Sequence, residues 1–346
     1  MPLARLLSTP LYLSSALERF FSETLDQASA ASAIRAALAS REERFLRLVQ
    51  TEVFERAESP YLKLLRNAGC ELGDLESLVH EDGLEGALSH LAEQGVYLTT
   101  EEFKGKRPVT RGSKSFTVRQ KDLQPSRRSW GLPTESSGTS NRPTRSLSSF
   151  GWLERESATT CLFLGAHELG EHAHAAVDVI APGAAGMLFL LMVAKAGIRP
   201  ERWFCRQPHH GWLERRYQAM VAGQIVKGAR RYGPGLPTPE LVDFQDLKPV
   251  VGWIRDEERK GSRVCIRCVA SIAVSIVKLA IEEDVPMTSV TFIVTGEPFT
   301  ESKRQIVEQS GAHFTVQYGY TPGAVHLGRG CARRRFTDEM HVDLST

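Results

Sequence analysis

Cysteine is scarce in this sequence, with six in 346 residues. That is too thin for a disulfide scaffold, so a reduced, cytoplasmic compartment is the expected setting. Charge of one sign is lacking too: 43 Lys and Arg against 41 Asp and Glu leave a formal balance of +2. No global field favours nucleic acid or an acidic membrane, and neither is expected as a partner. Nor is there a long hydrophobic run. The longest, Val179 to Ala194, is interrupted by Pro182, Gly183 and Gly186 and falls short of the roughly 18 to 20 apolar residues that span a bilayer. It reads as a buried loop followed by a helix. The opening MPLARLLSTPLYLSSALERFF has no sustained apolar run before its acidic residues, so a secretory signal is not expected. Internal repeats are absent as well.

What is there suits an ordinary globular protein. An apolar fraction of 42% with 24% charged residues argues against wholesale disorder, and the length allows one large domain or two smaller ones. From Ser14 to about Gln94, apolar residues recur at three- and four-residue steps between charges, as in RFLRLVQTEVFER, which predicts packed amphipathic helices. Glu58-Ser59-Pro60 and Glu81-Asp82-Gly83 mark turns between them. Lys104 to Arg128 is rich in Lys and Arg and holds a short alternating run, Ser115-Phe116-Thr117-Val118, that predicts a strand. Its basic character reads as a solvated face or as a surface for an anionic partner. A Gly, Ser, Thr and Pro-rich stretch follows, Gly131 to Ser149, with the composition of a flexible linker.

Beyond Phe150, apolar runs alternate with helical patterns. Ala158 to Leu164 reads as a buried strand, Gly186 to Ala196 and Ser271 to Glu283 as helices, Ser289 to Thr295 as a strand, Thr300 to Gln309 as a helix and His313 to Tyr318 as a strand. Strands alternating with helices predict an α/β fold with a parallel or mixed sheet covered by helices. The domain division expected is a helical N-terminal region over 1–95 and a core over 96–346.

Within the linker-like stretch, Thr134-Glu135-Ser136-Ser137-Gly138-Thr139-Ser140-Asn141-Arg142-Pro143-Thr144 gathers hydroxyls and backbone amides around a glycine. Such a loop can wrap a polyphosphate, because glycine allows close backbone approach while hydroxyls and N–H groups donate to the oxygens. No Gly-Lys-Ser/Thr follows, which excludes a Walker A loop. Ser-Ser-Gly-Thr-Ser-x-Arg-Pro-Thr resembles the phosphate-loop signature of the adenylate-forming (acyl-CoA synthetase) superfamily, most of all its phenylacetate-CoA ligase branch. Two further segments match in order. Thr295-Gly296-Glu297-Pro298 is similar to the adenine-binding Gly-Glu-Pro element, and Gln317-Tyr318-Gly319-Tyr320-Thr321 to the Tyr-Gly-x-Thr-Glu element that follows the next strand. Each is weak alone; three in order are more specific. The resemblance covers about Gly95 to the C-terminus.

That resemblance implies the large domain of an ATP-dependent ligase, preceded by a helical N-terminal region, that activates a carboxylic acid to an acyl-adenylate, with CoA as a possible acceptor. Ser136, Ser137, Gly138, Thr139 and Ser140 would hold the β- and γ-phosphates of ATP. Gly296, Glu297 and Pro298 would line the adenine, Tyr318, with Gly319 and Tyr320 beside it, would pack on its ring, and Thr321 would bond the α-phosphate as the catalytic residue. Tyr318 reads equally as a core aromatic at a strand end. The segment Gly165 to Gly186 and a helix starting at Cys268 would border the acid. Ala184, Val269, Ala270 and Ile272 there suit an apolar or aromatic acid, and are equally what any core contains.

The chain departs from the family in two places. Pro322 follows Thr321 where the family has an acid that helps hold Mg²⁺, so Mg²⁺ is only weakly expected as a cofactor. The sequence closes on Asp343-Leu344-Ser345-Thr346, without a counterpart of the family's hinge and mobile C-terminal domain with its catalytic Lys; Asp343 stands near the ribose-binding position without a secure alignment. Truncation at the C-terminus, a subunit completed by a separate C-terminal domain, or a nucleotide- or acyl-adenylate-binding protein without full turnover are the alternatives these departures leave.

Two other patterns carry less. His167-Glu168-Leu169-Gly170-Glu171-His172-Ala173-His174 holds good zinc ligands, but His167 and His172 are five apart and would not share a helical face as zincin histidines do. A polar helix start or a loop beside the acid pocket is the expectation, with no metal site. Cys265-Ile266-Arg267-Cys268 has CxxC spacing without a second CxxC, and reads as buried thiols.

Overall fold

The computed structural model describes residues 3–123, 131–135, 145–180, 185–206, 212–320, 325–333 and 339–342. The chain divides into two compact units: one comprises residues 35–130, the other joins 1–34 to 131–344.

Helices α1 (Leu3–Phe20) and α2 (Gln27–Ala39) open the chain, α2 running across the division between the units. In the smaller unit, α3 (Arg41–Val49) passes through one π-turn, Gln50–Phe54, to α4 (Pro60–Asn67), α5 (Leu72–Glu93) and α6 (Thr100–Phe103). A short ribbon follows, β1 (Val109–Arg111) antiparallel to β2 (Lys114–Phe116). Pro60 starts α4 because its missing N–H costs nothing in a first turn. The turn expected at Glu81-Asp82-Gly83 is a kink inside α5, where Gly83 takes φ 70°, a value glycine adopts without a Cβ clash. Val49, Leu65, Leu75, Val79 and Leu91 form this unit's own core.

The larger unit carries a two-stranded pair, β3 (Leu132–Glu135) and β4 (Arg145–Ser148), and then α7 (Phe150–Ala166). From there strands and helices alternate: β5 (Ala173–Val179), α8 (Ala185–Lys195), β6 (Arg202–Arg206), α9 (Trp212–Tyr232), β7 (Glu240–Leu241), α10 (Lys248–Arg259), β8 (Val264–Val269), α11 (Ala270–Glu282), β9 (Val290–Thr295), α12 (Glu301–Gln309) and β10 (His313–Tyr320). Two antiparallel strands, β11 (Val325–Gly330) and β12 (Met340–Val342), finish it. The eight strands order as β12-β11-β10-β9-β8-β5-β6-β7, with β10 through β7 parallel. The fold is thus α/β with a mixed sheet covered by helices.

Alternation along each strand divides two cores. Ala176, Trp203, Cys205, Cys265 and Ile293 face residues of α1, α7, α8 and α9. Ala175, Val177, Phe204, Ile266, Phe292 and Val294 face residues of α10, α11 and α12. A parallel sheet covered on both faces explains why its strands read as continuous apolar runs.

The chain enters the parallel region at β5, fills positions outward to β7, then returns to β8 and fills outward to β10. Between β5 and β8 the winding reverses. In doubly wound sheets that reversal opens a crevice at the carboxyl ends of the two strands, the usual place for a ligand.

Several local expectations need correction. Ala158 to Leu164 is not a strand but the middle of α7, whose buried residues include Leu153, Glu156, Ser157, Ala158, Thr160, Cys161, Phe163 and Leu164. A helix buried nearly all round loses its 3.6-residue signature and mimics a buried strand. The expected strand at Ser115–Val118 is shifted to Lys114–Phe116. The helix expected to start at Cys268 starts at Ala270, with Cys268 and Val269 still in β8. Within Gly131 to Ser149, read as linker, residues 132–135 and 145–148 are the paired strands β3 and β4.

Candidate functional site

Two of the three segments that resemble nucleotide-binding elements fall at the carboxyl ends of the neighbouring strands β9 and β10, inside the sheet. Thr295 ends β9, and Gly296, Glu297 and Pro298 form the turn before α12. Gly296 takes φ +76°, and a Cβ on it would stand 3.1 Å from Val269 Cγ1 at the end of β8. The turn therefore favours glycine on two counts, its dihedral and its approach to β8. Glu297 reaches back to the start of α11: its Oε2 accepts from the Ser271 backbone N–H at 2.9 Å, and its Oε1 lies 2.9 Å from the Ser271 hydroxyl. Lys303 donates to the same carboxylate at 3.2 Å and to the Pro298 carbonyl at 3.3 Å. Burial alone would raise this carboxyl, but the bonds from Ser271 and Lys303 hold it below its ordinary value. An anion at a helix N-terminus is favoured by the unsatisfied amides and the dipole there.

Tyr318 lies beside this turn. The last paired positions of β9 and β10 are Val294 and Val316, and Gly296 and Tyr318 each follow two residues later. Gln317, Tyr318, Gly319 and Tyr320 lie within β10 rather than after it, and the pairing with β11 shifts between Tyr318 and Gly319. Such a bulge re-aims side chains at a strand end. Tyr318 is 56% exposed while its neighbours Val316 and Gln317 are buried, so its ring faces solvent near the carboxyl end of β10 instead of filling the core.

Ser136, Ser137, Gly138, Thr139 and Ser140 lie outside the described residues, as do Thr321, Pro322, Ala184 and Asp343. The segment holding Ser136 to Ser140 is bracketed by β3 and β4, whose last pair is Glu135 with Arg145.

At the point of reversal the strands carry a buried ion pair that sequence reading missed. Arg267 of β8 donates through Nη1 to Asp178 Oδ2 of β5 at 3.0 Å, with side chains 3% and 13% exposed. Asp178 also accepts from the Val179 backbone N–H at 2.7 Å and from the backbone of Gly186 in the first turn of α8. Burial pushes the Asp178 carboxyl upward, with Arg267 opposing. A lone arginine inside the apolar Val-Cys-Ile-Arg-Cys-Val was the available sequence signal; its partner, 89 positions away, left none.

The histidine segment is a helix end, not a start. Leu169 N–H bonds the Leu164 carbonyl at 2.8 Å and Glu168 N–H the Gly165 carbonyl at 3.0 Å, with Glu168 at φ 56°, a Schellman-type termination of α7. His174 is fully buried, with Nε2 2.8 Å from the Leu169 carbonyl. Cys265 and Cys268 are both buried on β8, and an offset of three on a strand sends them to opposite faces. Burial raises both thiols. Among the described residues no cluster of three or more His, Cys, Asp or Glu is arranged to hold a metal ion, and no helix is long and apolar enough to cross a membrane.

No protein-family model matches the chain, and no curated protein matches it. Solved structures do. A 2-hydroxyisobutyryl-CoA ligase in the postadenylation state, in complex with 2-HIB-AMP, is 14% identical with a TM-score of 0.48, covering 93% of this chain and 55% of that one. The ligase in an open conformation with 2-HIB-AMP and CoA is 13% identical with a TM-score of 0.45, covering 93% and 60%. The N-terminal subdomain of Klebsiella oxytoca NpsA, in complex with 3-hydroxyanthranilyl-AMSN, is 14% identical with a TM-score of 0.32, covering 64% and 43%. The chain spans a little over half the length of the CoA ligase it matches.

Proposed function

We propose that this chain binds ATP and activates a carboxylic acid as the large domain of an adenylate-forming ligase, similar to the phenylacetate-CoA ligase branch. One observation carries the reading. The two segments that resemble the family's adenine-binding and Tyr-Gly elements end adjacent parallel strands, β9 and β10. There they set an exposed tyrosine ring beside a turn in which Gly296 takes φ +76° close against Val269. An aromatic face next to bare backbone is what a planar base needs, since stacking and backbone hydrogen bonds recognise it together.

In this reading Tyr318 stacks on the adenine and the Gly296-Glu297-Pro298 backbone borders its edge. The Glu297 carboxylate, committed to Ser271 and Lys303, holds the turn rather than touching the base. Ser136 to Ser140 bind the β- and γ-phosphates and Thr321 the α-phosphate. An oxygen of the acid attacks the α-phosphorus, the bond to the bridging oxygen breaks and pyrophosphate leaves, so the residues mainly position and neutralise charge. The acyl group then passes to CoA or another thiol. The acid lies in the crevice at the carboxyl ends of β5 and β8, near the half-buried Val269 that ends β8, while Ala270 and Ile272 pack into the core beneath α11. Mg²⁺ bound to the nucleotide would neutralise phosphate charge, and among the described residues no group of three or more His, Cys, Asp or Glu is arranged to hold it.

Calorimetry with AMP and with ATP tests the reading. Binding in the micromolar to millimolar range is expected, and Tyr318→Ala should weaken AMP about tenfold, since base stacking on an aromatic side chain is worth roughly 1–3 kcal/mol, with little change in melting temperature because the ring is exposed. No binding to the parent at millimolar nucleotide overturns the proposal. A second reading, binding without turnover, draws on Pro322, which stands where the family has its metal-binding acid. Acid-dependent exchange of pyrophosphate into ATP separates the two, since a protein that only binds shows none.

A further inference from the structure

Lys303 and Arg304 stand side by side near the start of α12, and they do different things. Arg304 spends its guanidinium on Glu301 and Glu308 of its own helix. Lys303 leaves the helix: its Nζ donates to Glu297 Oε2 at 3.2 Å and to the Pro298 carbonyl at 3.3 Å. Its place in α12 does not favour a cation. The first turn of a helix presents unsatisfied amides and the positive end of the dipole, and Thr300 supplies no side-chain cap there. A lysine at that position is explained by what it reaches.

It reaches the Gly296-Glu297-Pro298 turn, which is held from both flanking helices. Ser271, in the first turn of α11, donates its backbone N–H to Glu297 Oε2 at 2.9 Å, and Lys303 closes on the same carboxylate from α12. Val269 gives α11 no side-chain cap, so the Glu297 carboxylate stands in for one. The second bond from Lys303 goes to the backbone itself, at the Pro298 carbonyl. Gly296 permits the turn with its φ of +76° but does not fix it, because glycine takes positive and negative φ with similar ease. The contacts at Glu297 and Pro298 do the fixing.

In the adenylation reading this turn borders the edge of the adenine while Tyr318 stacks on its face. Stacking tolerates every base, because each has a π-face. Edges differ: adenine carries an amino donor where guanine carries an oxygen acceptor, and a fixed backbone group that pairs with one is left unpaired by the other. Choice of base therefore falls to the turn, and it survives only while the turn keeps one geometry. We propose that Lys303 is a positioning residue that sets the preference of this site for adenine, acting through Glu297 and the Pro298 carbonyl without touching the nucleotide. The inference rests on the adenylation reading and adds to it a residue outside the segments that resemble the family.

The test measures AMP and GMP binding to the full chain by calorimetry, with melting temperature as the check of folding. The parent should prefer AMP by about tenfold or more, the scale of a donor or acceptor left unpaired by the wrong base. Tyr318→Ala should weaken both nucleotides and keep the preference. Lys303→Met should narrow the preference to about threefold or less, chiefly by loss of AMP affinity. Arg304→Met, which removes the same charge from the next position, should leave it at the parent value. Should Lys303→Met not fold, Glu297→Gln keeps an oxygen for Ser271 but no charge for Lys303, and it should narrow the preference likewise. If the parent binds neither nucleotide, the adenylation reading falls and this inference with it. If the parent binds both alike or favours GMP, or if the substituted protein keeps the full preference for AMP, the inference alone is overturned. A loss of preference in Arg304→Met as large as in Lys303→Met would trace the effect to α12 as a whole and overturn the assignment to Lys303.

Discussion

Gly296, Tyr318 and the buried Asp178–Arg267 pair were unequally visible in the sequence. Gly296 stood out through its resemblance to the Gly-Glu-Pro element that follows a strand, and the structure shows positive φ and 3.1 Å to Val269 Cγ1 for an added Cβ. Gly296→Ala should therefore cost roughly 1–2 kcal/mol, read as a melting temperature a few degrees lower, and it should weaken AMP as the turn shifts. An alanine variant with unchanged melting and unchanged AMP affinity would show that the turn is not strained. Tyr318 left two readings open, core aromatic or binding face, because a Tyr-Gly pair at a strand end serves either. Its 56% exposure removes the core reading, and the AMP measurement on Tyr318→Ala tests the other. Asp178 and Arg267 were invisible as a pair, since pairing across the winding reversal depends on strand order, which no local pattern encodes.

At the level of elements, legibility followed how each segment is buried. β9, a β-branched run, and α11, apolar at helical spacing, were read within one or two residues of their observed bounds. So was α12, whose Thr300 precedes a charged first turn. Helix α7 was misread because its apolar residues lie on every side, and β3 and β4 were missed because their composition is that of a loop. The polar residues that α7 buries show why it is a helix with a fixed register. Glu156, fully buried, accepts from Arg329 Nη2 of β11 at 2.7 Å, and His167 at its end lies 2.9 Å from the Gly330 carbonyl. These contacts tie α7 to the antiparallel margin of the sheet next to Tyr318. Removing one member of such a pair leaves a buried charge without its counter-ion, at a cost of roughly 3–5 kcal/mol, whereas replacing both with apolar residues is often near neutral. Glu156→Met should thus lower the denaturant midpoint sharply, and adding Arg329→Met should recover part of the loss. If the two losses simply add, the residues do not act as a unit.

Over the whole molecule, the two compact units titrate in different ranges, and this gives a prediction about acid. In the larger unit His172 and His174 are buried. Burial lowers both to about 4, with Arg263 and His313 adding repulsion at His172, and His172 at His174 against the help of the Leu169 carbonyl. Unfolded, they return to about 6.5, so the unfolded state binds more protons between these values and stability rises with pH there. Their contribution is complete above about 6.5 and is lost as pH falls toward about 4. In the smaller unit Glu102 sits under Arg111, Nη1 to Oε1 2.9 Å, and also takes the Thr99 N–H at 2.8 Å. The Arg111 hydrogen bond outweighs burial and lowers it to about 2 from an ordinary 4.5. Its contribution is therefore intact above that ordinary value and is lost only below it. Acid should weaken the larger unit first: hydrogen exchange followed by mass spectrometry from pH 7 downward should show β5 and β8 losing protection while α5, α6 and β1 keep theirs. His174→Gln, which cannot gain a charge, should flatten the larger unit's decline over the upper part of that range and leave the smaller unit's unchanged. Simultaneous loss of protection in both units at one pH would mean that they unfold as a single cooperative body and that the histidines do not set the acid limit.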